Sequence, residues 1–381
     1  MMLFKSFDAV IFIILTLTTL FFTSSFSFMG ISQIGVLILL VVVLFMHIYH
    51  GLKIFKPNIY VIFLCIIINL SLLIRMINTP GVYYAAGSDI NSMILITCYL
   101  YCSMFLFYFY DNKRNRFGTI IKLIIYFHVF ALVFQFLTYQ TTGYNIDISS
   151  FLGGEGNRTS KPGTIIFRPT GVFDEPSIYC GFIILLLCVY NYINSKDFLC
   201  DTIVGFSIFL TMSFAGYIML FFYFFIKYFK LNKWSFLLTI IMLCSTYTFF
   251  TSNEYILDRL FILIDGDDSS TLFKKIFLDY WNSIPVYKYT GMGISNDLSR
   301  PDFFDAAYDL TFWGASIIIY GYYFSVAIFF IILYSFPIRV ERKHIIMLIP
   351  LLKVTVLHMP IFIIYFTVIQ YSAKDKRVEH N

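Results

Sequence analysis

The sequence predicts an all-α, polytopic integral membrane protein, on the basis of its composition, its long apolar stretches and its basic connections. Hydrophobic residues make up 59% of the 381 residues and charged residues only 13%, whereas a soluble chain is about half apolar and about a quarter charged. With 46 Phe and 29 Tyr, the chain has more apolar surface than one soluble core can hide. This composition excludes a disordered chain, a collagen, a nucleic-acid-binding protein and a disulfide-stapled secreted module.

Several apolar stretches are long enough to cross a bilayer, because a transmembrane helix needs roughly 20 mostly apolar residues. They cover residues 8–28, 31–50, 58–77, 91–110, 119–139, 176–193, 234–250 and 310–335. The first stretch is too long for the apolar h-region of a signal peptide and lacks a small-residue cleavage site, so we expect an uncleaved first helix. Two further apolar regions, 202–226 and 344–371, either cross once or fold back as two short helices.

Basic residues indicate which helix ends share a membrane side, because short cytoplasmic connections carry excess Lys and Arg. Lys and Arg cluster in connections at 53–56, 113–116, 227–233 and 339–343 and in a tail at 374–377. All of these lie on one side only if both ambiguous regions cross an even number of times. We therefore predict a break near 213–216 in the first region, and one at Pro360 in the second, since proline lacks the N–H that a continuing helix needs.

The resulting prediction is a single polytopic domain over residues 1–381, with about 10–12 transmembrane helices and both termini in the cytoplasm. Two extracytoplasmic connections are long, at 140–175 and 251–309, and together they hold most of the 22 acidic residues. Loops longer than about 12–15 residues are usually functional or disordered, so we expect the chemistry there. The glycine-rich polar stretch 153–163 predicts either a mobile flap over a hydrophilic substrate or an unstructured connector.

The most informative string is RPTGVFDEP at 168–176, which runs directly into an apolar span. Pro176 suits the first position of a helix, where a missing N–H costs nothing, and Glu175 lies at the positive end of the helix dipole. Gly171 permits a tight turn that would bring Arg168 over this helix end. The string predicts either a capped helix start with an interfacial arginine or part of a functional site.

The second long loop has a different pattern. Residues 265–270 resemble the opening of a calcium loop, but no Glu follows at its twelfth position, so we expect no calcium site. Gly291 and Gly293 form a lone GxG, which most simply predicts a turn. The chain has no zinc-ligand spacing, phosphate loop or dinucleotide fingerprint, so we expect no metal and no cofactor. None of the seven cysteines lies in a long outer loop, so no structural disulfide is expected.

Two basic residues, Arg75 and Lys353, stand inside predicted apolar segments. Ionisable residues at such depth are functional candidates by default. Arg75 lies near the outer end of the third predicted helix, where its side chain could also extend outward to the interface.

Four features occur in the order found in a known family. The string at 168–176 is similar to that family's Arg-x-x-Gly-x-x-x-Glu-Pro start of a mid-chain helix, and LTMSFAGY at 210–217 is similar to its Thr-x-Ser-Arg-x-Gly break. A long loop follows, with a Ser-Ser pair at 269–270, the glycine pair at 291–293 and then Asp309 before a span. The fourth feature is the order of a basic outer loop, a helix pair and a larger outer loop.

By these features, about residues 140–335 resemble the O-antigen polymerase (Wzy-type) family, within the wider O-antigen ligase/polymerase superfamily. The sequence departs from the family at Phe214, where an Arg is common, and at Lys274 and Lys275, which replace an Arg often found after the Ser-Ser pair. The ligase branch typically carries a His in the second loop, and its absence near Asp309 favours a polymerase over a ligase.

The resemblance implies a GT-C-like membrane fold, the bacterial inner (plasma) membrane, and inverting, metal-independent glycosyl transfer at its outer face. The donor would be a growing glycan on undecaprenyl pyrophosphate, and the acceptor a single lipid-linked repeat unit of O-antigen or capsular polysaccharide. The implied partners are these glycan donors and acceptors, membrane lipid, a chain-length regulator and a flippase. We expect no nucleic-acid partner.

The predicted site residues suit this reaction. Departure of pyrophosphate develops negative charge, which guanidinium groups neutralise bidentately, and Arg168 is the first candidate for that role. The attacking sugar hydroxyl needs a base, which Glu175 or Asp309 would supply. The predicted catalytic residues are therefore Arg168, Glu175 and Asp309. The predicted substrate-binding residues are Arg75, Arg158, Arg168, Gly171, Pro176, Lys274, Lys275, Gly291, Gly293 and Arg300.

Two other functions fit parts of the sequence. A lipid-linked oligosaccharide flippase or other transporter would build its site at mid-membrane from discontinuous helices, which the two predicted hairpins resemble. An O-antigen ligase-type transferase would instead attach the glycan to a lipid core or to protein. Because the charge gathers in the outer loops, the sequence favours a polymerase over a transporter.

Overall fold

A computed structural model describes residues 2–20, 31–49, 58–78, 86–154, 156–159, 167–194, 197–229, 269–293, 301–337, 340–354, 357 and 359–380. Every regular element within these residues is an α-helix or a 3₁₀ turn, which confirms the all-α class. The predicted span at 234–250, the first part of the second long loop and Arg300 lie outside the described residues.

The first five helices overlap the predicted apolar stretches, although the first stretch, 8–28, is described only to residue 20. They are α1 (Met2–Thr19), α2 (Ile31–Tyr49), α3 (Ile59–Ile77), α4 (Ala86–Tyr110) and α5 (Arg114–Thr142), with a 3₁₀ turn over Asp111–Lys113 between the last two. Asn58 caps α3 by accepting a hydrogen bond from the Tyr60 N–H at 3.1 Å, as an N-cap asparagine does. α5 ends where Gly143 adopts a φ of 70°, the left-handed conformation that commonly terminates a helix.

The helices after residue 142 are shorter and more often interrupted. They are α6 (Ile148–Phe151), α7 (Pro176–Ile193), α8 (Phe198–Leu210), α9 (Phe214–Tyr228), α10 (Ser269–Ser283), α11 (Pro285–Thr290), α12 (Phe312–Tyr334), α13 (Arg342–Ile346) and α14 (Phe362–His380). Two 3₁₀ turns, over Asp302–Asp309 and Ile349–Leu352, precede α12 and α14.

Five helical segments among the described residues are long and apolar enough to cross a membrane, and they support the predicted membrane class. They are Ile31–Ile48, Ile59–Ile77, Ser88–Thr142, Pro176–Ile193 and Phe312–Tyr334, of which Ser88–Thr142 covers most of α4 and all of α5. α7 lies at the centre of the bundle, because 83% of its span is buried inside the protein, against 33% for α2 and α3.

The chain breaks in both regions where the basic connections predict a break. α8 ends at Leu210, and Ser213 caps α9 by accepting a hydrogen bond from the Gly216 N–H at 3.3 Å. In the C-terminal region α14 begins at Phe362, after Pro360. Among the described residues before this proline, the regular elements are α13 and a 3₁₀ turn, which are shorter and less regular than the half-helix that the sequence predicts.

α12 is interrupted at Gly321, which has φ 79° and ψ 168°. No pattern in the sequence predicts this interruption. A broken helix leaves carbonyl groups without intrahelical partners, and here the second long loop supplies the partners. The Met292 N–H donates to Ile318 O at 2.6 Å, and the Gly293 N–H donates to Ile319 O at 3.0 Å. The loop is thereby attached to the middle of a membrane-spanning helix.

Those basic connections that the structure describes lie together at one end of the bundle, while the connection at 53–56 and residues 230–233 lie outside the described residues. Arg114, at the start of α5, forms an ion pair of 2.9 Å with Asp375 on α14. Asp375 also accepts a hydrogen bond at 3.1 Å from the hydroxyl of Tyr192, at the end of α7. The Lys343 ammonium lies 5.4 Å from the centre of the Tyr192 ring. These contacts join the 113–116, 339–343 and 374–377 connections.

Further contacts extend this basic end. Arg342 donates a hydrogen bond of 2.6 Å to Phe229 O, directly after α9. Arg116 lies 3.5 Å from Asp8, so the beginning of α1 belongs to the same end. This shared position agrees with the prediction that these connections lie on the same side of the membrane. Which side this end faces stays a prediction.

Candidate functional site

The start of α7 lies at the end of the bundle opposite the basic connections, because the 18 residues of this helix span about 27 Å. Cys180, in its second turn, has its Sγ 3.3 Å from Thr211 Oγ1 in the α8–α9 break. The neighbouring Gly181 packs against Lys353, whose Cγ would lie 3.2 Å from a Cβ added to the glycine. Three separate parts of the chain therefore meet around the first two turns of α7.

Six charged residues surround this meeting point and are called the α7 site below. They are Arg158, Arg168, Glu175, Lys274, Asp309 and Lys353. Five of them were predicted as site residues from the sequence, and Lys353 was singled out only as a basic residue inside an apolar segment.

The first long loop folds back along the chain that leads into α7. The Arg158 N–H donates to Asp174 O at 2.6 Å, and the Arg168 N–H donates to Thr159 O at 2.8 Å. These two bonds hold residues 157–159 beside 168–174. The stretch predicted to form a flap is thus attached to the site on its described C-terminal side, and residues 160–163 of that stretch lie outside the described residues.

Gln135 on α5 holds this loop through hydrogen bonds. It was not among the predicted site residues. Its Oε1 accepts hydrogen bonds from the Thr170 N–H at 2.8 Å and from the Gly171 N–H at 2.9 Å. Its Nε2 donates to Ile146 O at 2.9 Å. Gly171 adopts a φ of 64°, which confirms the tight turn predicted there. A glutamine inside the predicted apolar stretch 119–139 was the available signal, but nothing in the sequence identifies its hydrogen-bond partners.

Aromatic side chains anchor both ends of the RPTGVFDEP string. Phe167 stacks on Tyr139 with ring centres 3.8 Å apart, and Phe173 is buried with its ring centre 5.0 Å from that of Phe182. Burying a phenylalanine side chain stabilises a structure by roughly 1.5–3 kcal/mol. The two rings therefore fix the path of the backbone that carries Arg168 and Glu175.

Arg168 points into the α8–α9 break. Its side chain is nearly buried, and its Nε lies 3.3 Å from Thr211 O, to which it donates a hydrogen bond. Both Arg168 and Lys353 lie close enough to the Cys180 thiol to act on it electrostatically. The guanidinium of the first loop and the ammonium of the C-terminal region thus approach the same turn of α7.

Glu175 is the residue at which α7 starts, and Pro176 occupies the first helical position as predicted. The Glu175 carboxylate forms an ion pair with Arg158 and accepts a hydrogen bond from Ser177 Oγ at 3.1 Å. Its side chain is 30% exposed and that of Arg158 is 61% exposed. A ligand in the surrounding solvent can therefore reach this carboxylate.

Asp309 forms ion pairs with two lysines from different segments. Its Oδ2 lies 2.7 Å from Lys274 Nζ on α10, and its Oδ1 is paired with Lys353. Burial acts to raise the pKa of Asp309, but the two ammonium groups outweigh it and lower the pKa to about 2. A carboxylate with so low a pKa is a weak general base near neutral pH.

Arg75, Gly291 and Gly293 come together elsewhere. Arg75 is 4% exposed, its Nε and Nη2 lie 2.8 and 2.5 Å from Asp89 Oδ2, and its Nη1 donates to Met292 O. This buried junction joins α3 and α4 to the second long loop. The geometry favours a structural role for Arg75, and its substrate contact stays a prediction.

Two further predicted residues are not part of the α7 site as the structure describes it. Lys275 is exposed on α10 beside Lys274, and Arg300 lies outside the described residues. Within the described part of the chain, no group of three or more His, Cys, Asp or Glu side chains is arranged to hold a metal ion.

Comparisons with protein-family models, with curated proteins and with solved structures found no match to this chain. The chemistry of the α7 site is therefore the main indication of function. The site holds four basic side chains, which suit a phosphorylated ligand, and two carboxylates, which suit proton transfer. The site lies at one end of an apolar helical bundle. At such a position the head group of a lipid-anchored ligand can remain in water while its anchor remains in the bilayer.

Proposed function

We propose that the chain is a polysaccharide polymerase, which joins undecaprenyl-pyrophosphate-linked repeat units by inverting glycosyl transfer at the outer face of a bacterial inner membrane. The observation that carries this proposal is the α7 site, with its four cations and two carboxylates at the end of the bundle opposite the basic connections. If the basic end faces the cytoplasm, as excess Lys and Arg favour, the α7 site faces the extracytoplasmic side, where such repeat units are joined.

The proposed reaction transfers the glycan from one lipid carrier to the next repeat unit. A hydroxyl of the acceptor sugar attacks the anomeric carbon of the donor, the bond from that carbon to the pyrophosphate oxygen breaks, and the electron pair leaves with undecaprenyl pyrophosphate. Attack from the opposite face inverts the anomeric centre. The hydroxyl proton passes to a carboxylate of the enzyme, and no oxidant or reductant takes part.

The reaction needs cations that stabilise the leaving pyrophosphate and a base that accepts the hydroxyl proton, and the α7 site contains candidates for both. Arg168 and Lys353 are placed to neutralise the charge that develops on the leaving pyrophosphate. Glu175 is the first candidate for the base, because its carboxylate is accessible to a ligand. Asp309 is the second candidate for the base. Its ion pairs with Lys274 and Lys353 make it a weak base, so these pairs must break before it can accept a proton. The polyprenyl tail would remain in the bilayer, against the apolar outer surface of the helices.

One observation favours a lipid-linked oligosaccharide flippase as the second candidate. The chain is interrupted between α8 and α9, at Gly321 in α12 and before α14, and transporters commonly build their sites from such discontinuous helices. The charged α7 site lies near a helix start rather than at mid-span, however, and this position favours the polymerase. A ligase-type transferase would use the same leaving group and differ only in the acceptor.

The polymerase proposal can be tested with purified protein in liposomes that contain a lipid-linked repeat unit. We expect glycans of several repeat units to form, and Arg168→Ala and Glu175→Ala to remove them while the protein remains inserted. Arg342→Ala, at the basic end, is the matched control and should retain the activity. Repeat units that cross the bilayer without being joined would support the flippase, and normal chain lengths in both site variants would contradict the assignment of the site.

A further inference from the structure

The pairing of Asp309 with two lysines has a geometry of its own. Lys274 comes from α10, Asp309 from the end of the following 3₁₀ turn, and Lys353 from the segment before Pro360. Each carboxylate oxygen faces a different ammonium group. The two ammonium groups therefore converge on one position, which the Asp309 carboxylate occupies.

Lys353 is held in this position by its stem. Its side chain passes the second turn of α7 at Gly181, where a Cβ would lie 3.2 and 3.4 Å from the Cγ and Cβ of the lysine. The Lys353 side chain is only 15% exposed, whereas that of Asp309 is 36% and that of Lys274 31% exposed. The lysine is thus the fixed part of the arrangement, and the carboxylate is the part that solvent can reach.

We propose that Lys274 and Lys353 form a binding site for a doubly charged phosphate group, which Asp309 occupies when no ligand is bound and leaves when the ligand enters. The site itself is inferred from the ion pairs, and only the identification of its ligand with a lipid diphosphate rests on the proposed function. In this scheme Asp309 competes with the phosphate group for the two lysines and does not itself contact that group.

The charges favour such an exchange. Two lysines and one aspartate carry a net charge of +1, so a dianion would balance the lysines better than the single carboxylate does. Lysine is a common point-charge partner of phosphate groups. The displaced carboxylate gives up little binding free energy, because it is partly exposed and regains its hydration, and partly exposed ion pairs contribute little to stability.

The exchange would have a consequence for proton transfer. As long as both ammonium groups contact Asp309, the pKa of its carboxyl stays near 2. Once a phosphate group takes the lysines, the pKa rises towards its ordinary value, and the carboxylate becomes a better base. Arrival of the donor would thereby prepare a second base in the α7 site.

The inference can be tested by measuring the binding of inorganic pyrophosphate and of farnesyl diphosphate to the full chain in detergent. Asp309→Asn removes the internal competitor, so we expect pyrophosphate to bind about fivefold more tightly, the size that a partly exposed ion pair allows. Lys353→Gln should weaken binding more than about tenfold, since it removes a charged hydrogen-bond partner of the phosphate group.

Asp197→Asn is the matched control for the aspartate. Asp197 forms an ion pair of 2.5 Å with Lys122 and its pKa is also lowered to about 2 by this lysine and by further hydrogen bonds, against the effect of burial. It lies near the basic end, so its substitution should leave pyrophosphate affinity unchanged. Lys274→Gln tests the same two-lysine site should Lys353→Gln fail to fold, as judged by its thermal melting.

The two probes distinguish the sources of the phosphate group. Equal affinity for both would support a site for the diphosphate alone, and tighter binding of farnesyl diphosphate would support a site that also contacts the lipid chain. An Asp309→Asn protein that binds pyrophosphate no more tightly than the unchanged protein would overturn the inference, even if polymerisation is observed. The predicted affinities in a protein that joins no repeat units would instead overturn the proposed function and leave this site standing.

Discussion

The guanidinium of Arg75 lies against the backbone of Gly293 so closely that a Cβ on the glycine would be 2.0 Å from Arg75 Cζ. Gly293 also adopts a φ of 71°, which residues with a side chain rarely adopt. Because Arg75 is paired with Asp89 at the same time, the second long loop, α3 and α4 meet at one buried point. The loop that carries Lys274 and Asp309 is therefore anchored to the membrane-spanning part of the protein.

Gly293→Ala should disrupt the contact between the second long loop and Arg75. The added methyl group collides with a guanidinium that cannot move without leaving Asp89, so we expect a loss of stability of about 2 kcal/mol or more, measured by thermal melting in detergent. Gly153→Ala is the matched control, because Gly153 has a φ of 83° but nothing within 4 Å of an added methyl group. Equal losses in the two variants would mean that backbone conformation, and not contact with Arg75, determines the effect.

Asp89→Asn should destabilise the protein more strongly than Gly293→Ala. The change leaves the buried Arg75 charge without its carboxylate, and removing one partner of a buried ion pair costs about 3–5 kcal/mol. Asp111→Asn, which removes the partner of Lys374 in a more exposed ion pair, is the control and should cost less than about 1 kcal/mol. A cost for Asp89→Asn within the range of the control would contradict the buried junction.

Gln135→Ala should disturb the first long loop. It leaves the Thr170 and Gly171 N–H groups without their acceptor, and each unsatisfied buried group costs about 1–3 kcal/mol. We expect lower thermal stability and faster proteolysis of the 140–175 loop. Gln140→Ala, at an exposed position of the same helix, should change neither. Unchanged proteolysis in Gln135→Ala would show that the aromatic anchors alone hold the loop.

The low pKa values of Asp197 and Asp309 predict an acid-dependent loss of stability. Both fall from an ordinary 3.8 to about 2 in the folded protein, so the unfolded chain binds protons first as the pH falls. Their contribution to stability is complete above about pH 4 and is lost as the pH falls through 2. Melting temperatures measured between pH 5 and about pH 2.5 should therefore fall less steeply in an Asp197→Asn, Asp309→Asn double variant. An equal slope would contradict the two ion pairs.

The helices could be predicted from sequence because lipid imposes a long apolar run on each of them. The predicted stretches 31–50 and 58–77 agree closely with α2 and α3, and the break after Leu210 follows from the charge pattern and from Ser213. The interruption at Gly321 could not be predicted in this way. It depends on a loop about thirty residues earlier that supplies partners for the Ile318 and Ile319 carbonyls.

The partners of the site residues were harder to predict than the residues themselves. Asp309 and Lys353 were each singled out, but they are separated by 44 positions, and no periodicity connects them. Arg75 pairs with Asp89 across a helix connection, and the predicted start of the fourth span at residue 91 left that aspartate outside it. Hydropathy locates a charge along the membrane normal but does not say which neighbouring helix will contact it.

The measurement that tests the proposed function most directly is the sidedness of the two long loops. Single cysteines at Phe151 in the first loop, at Lys275 in the second and at Asn112 near the basic end would be introduced in a background without the seven native cysteines. They would then be exposed to a membrane-impermeant maleimide on intact spheroplasts. We predict labelling of the first two from outside, and of the third only after permeabilisation. Labelling of either loop position only after permeabilisation would contradict the proposal, because the α7 site would then face the cytoplasm, away from the lipid-linked repeat units.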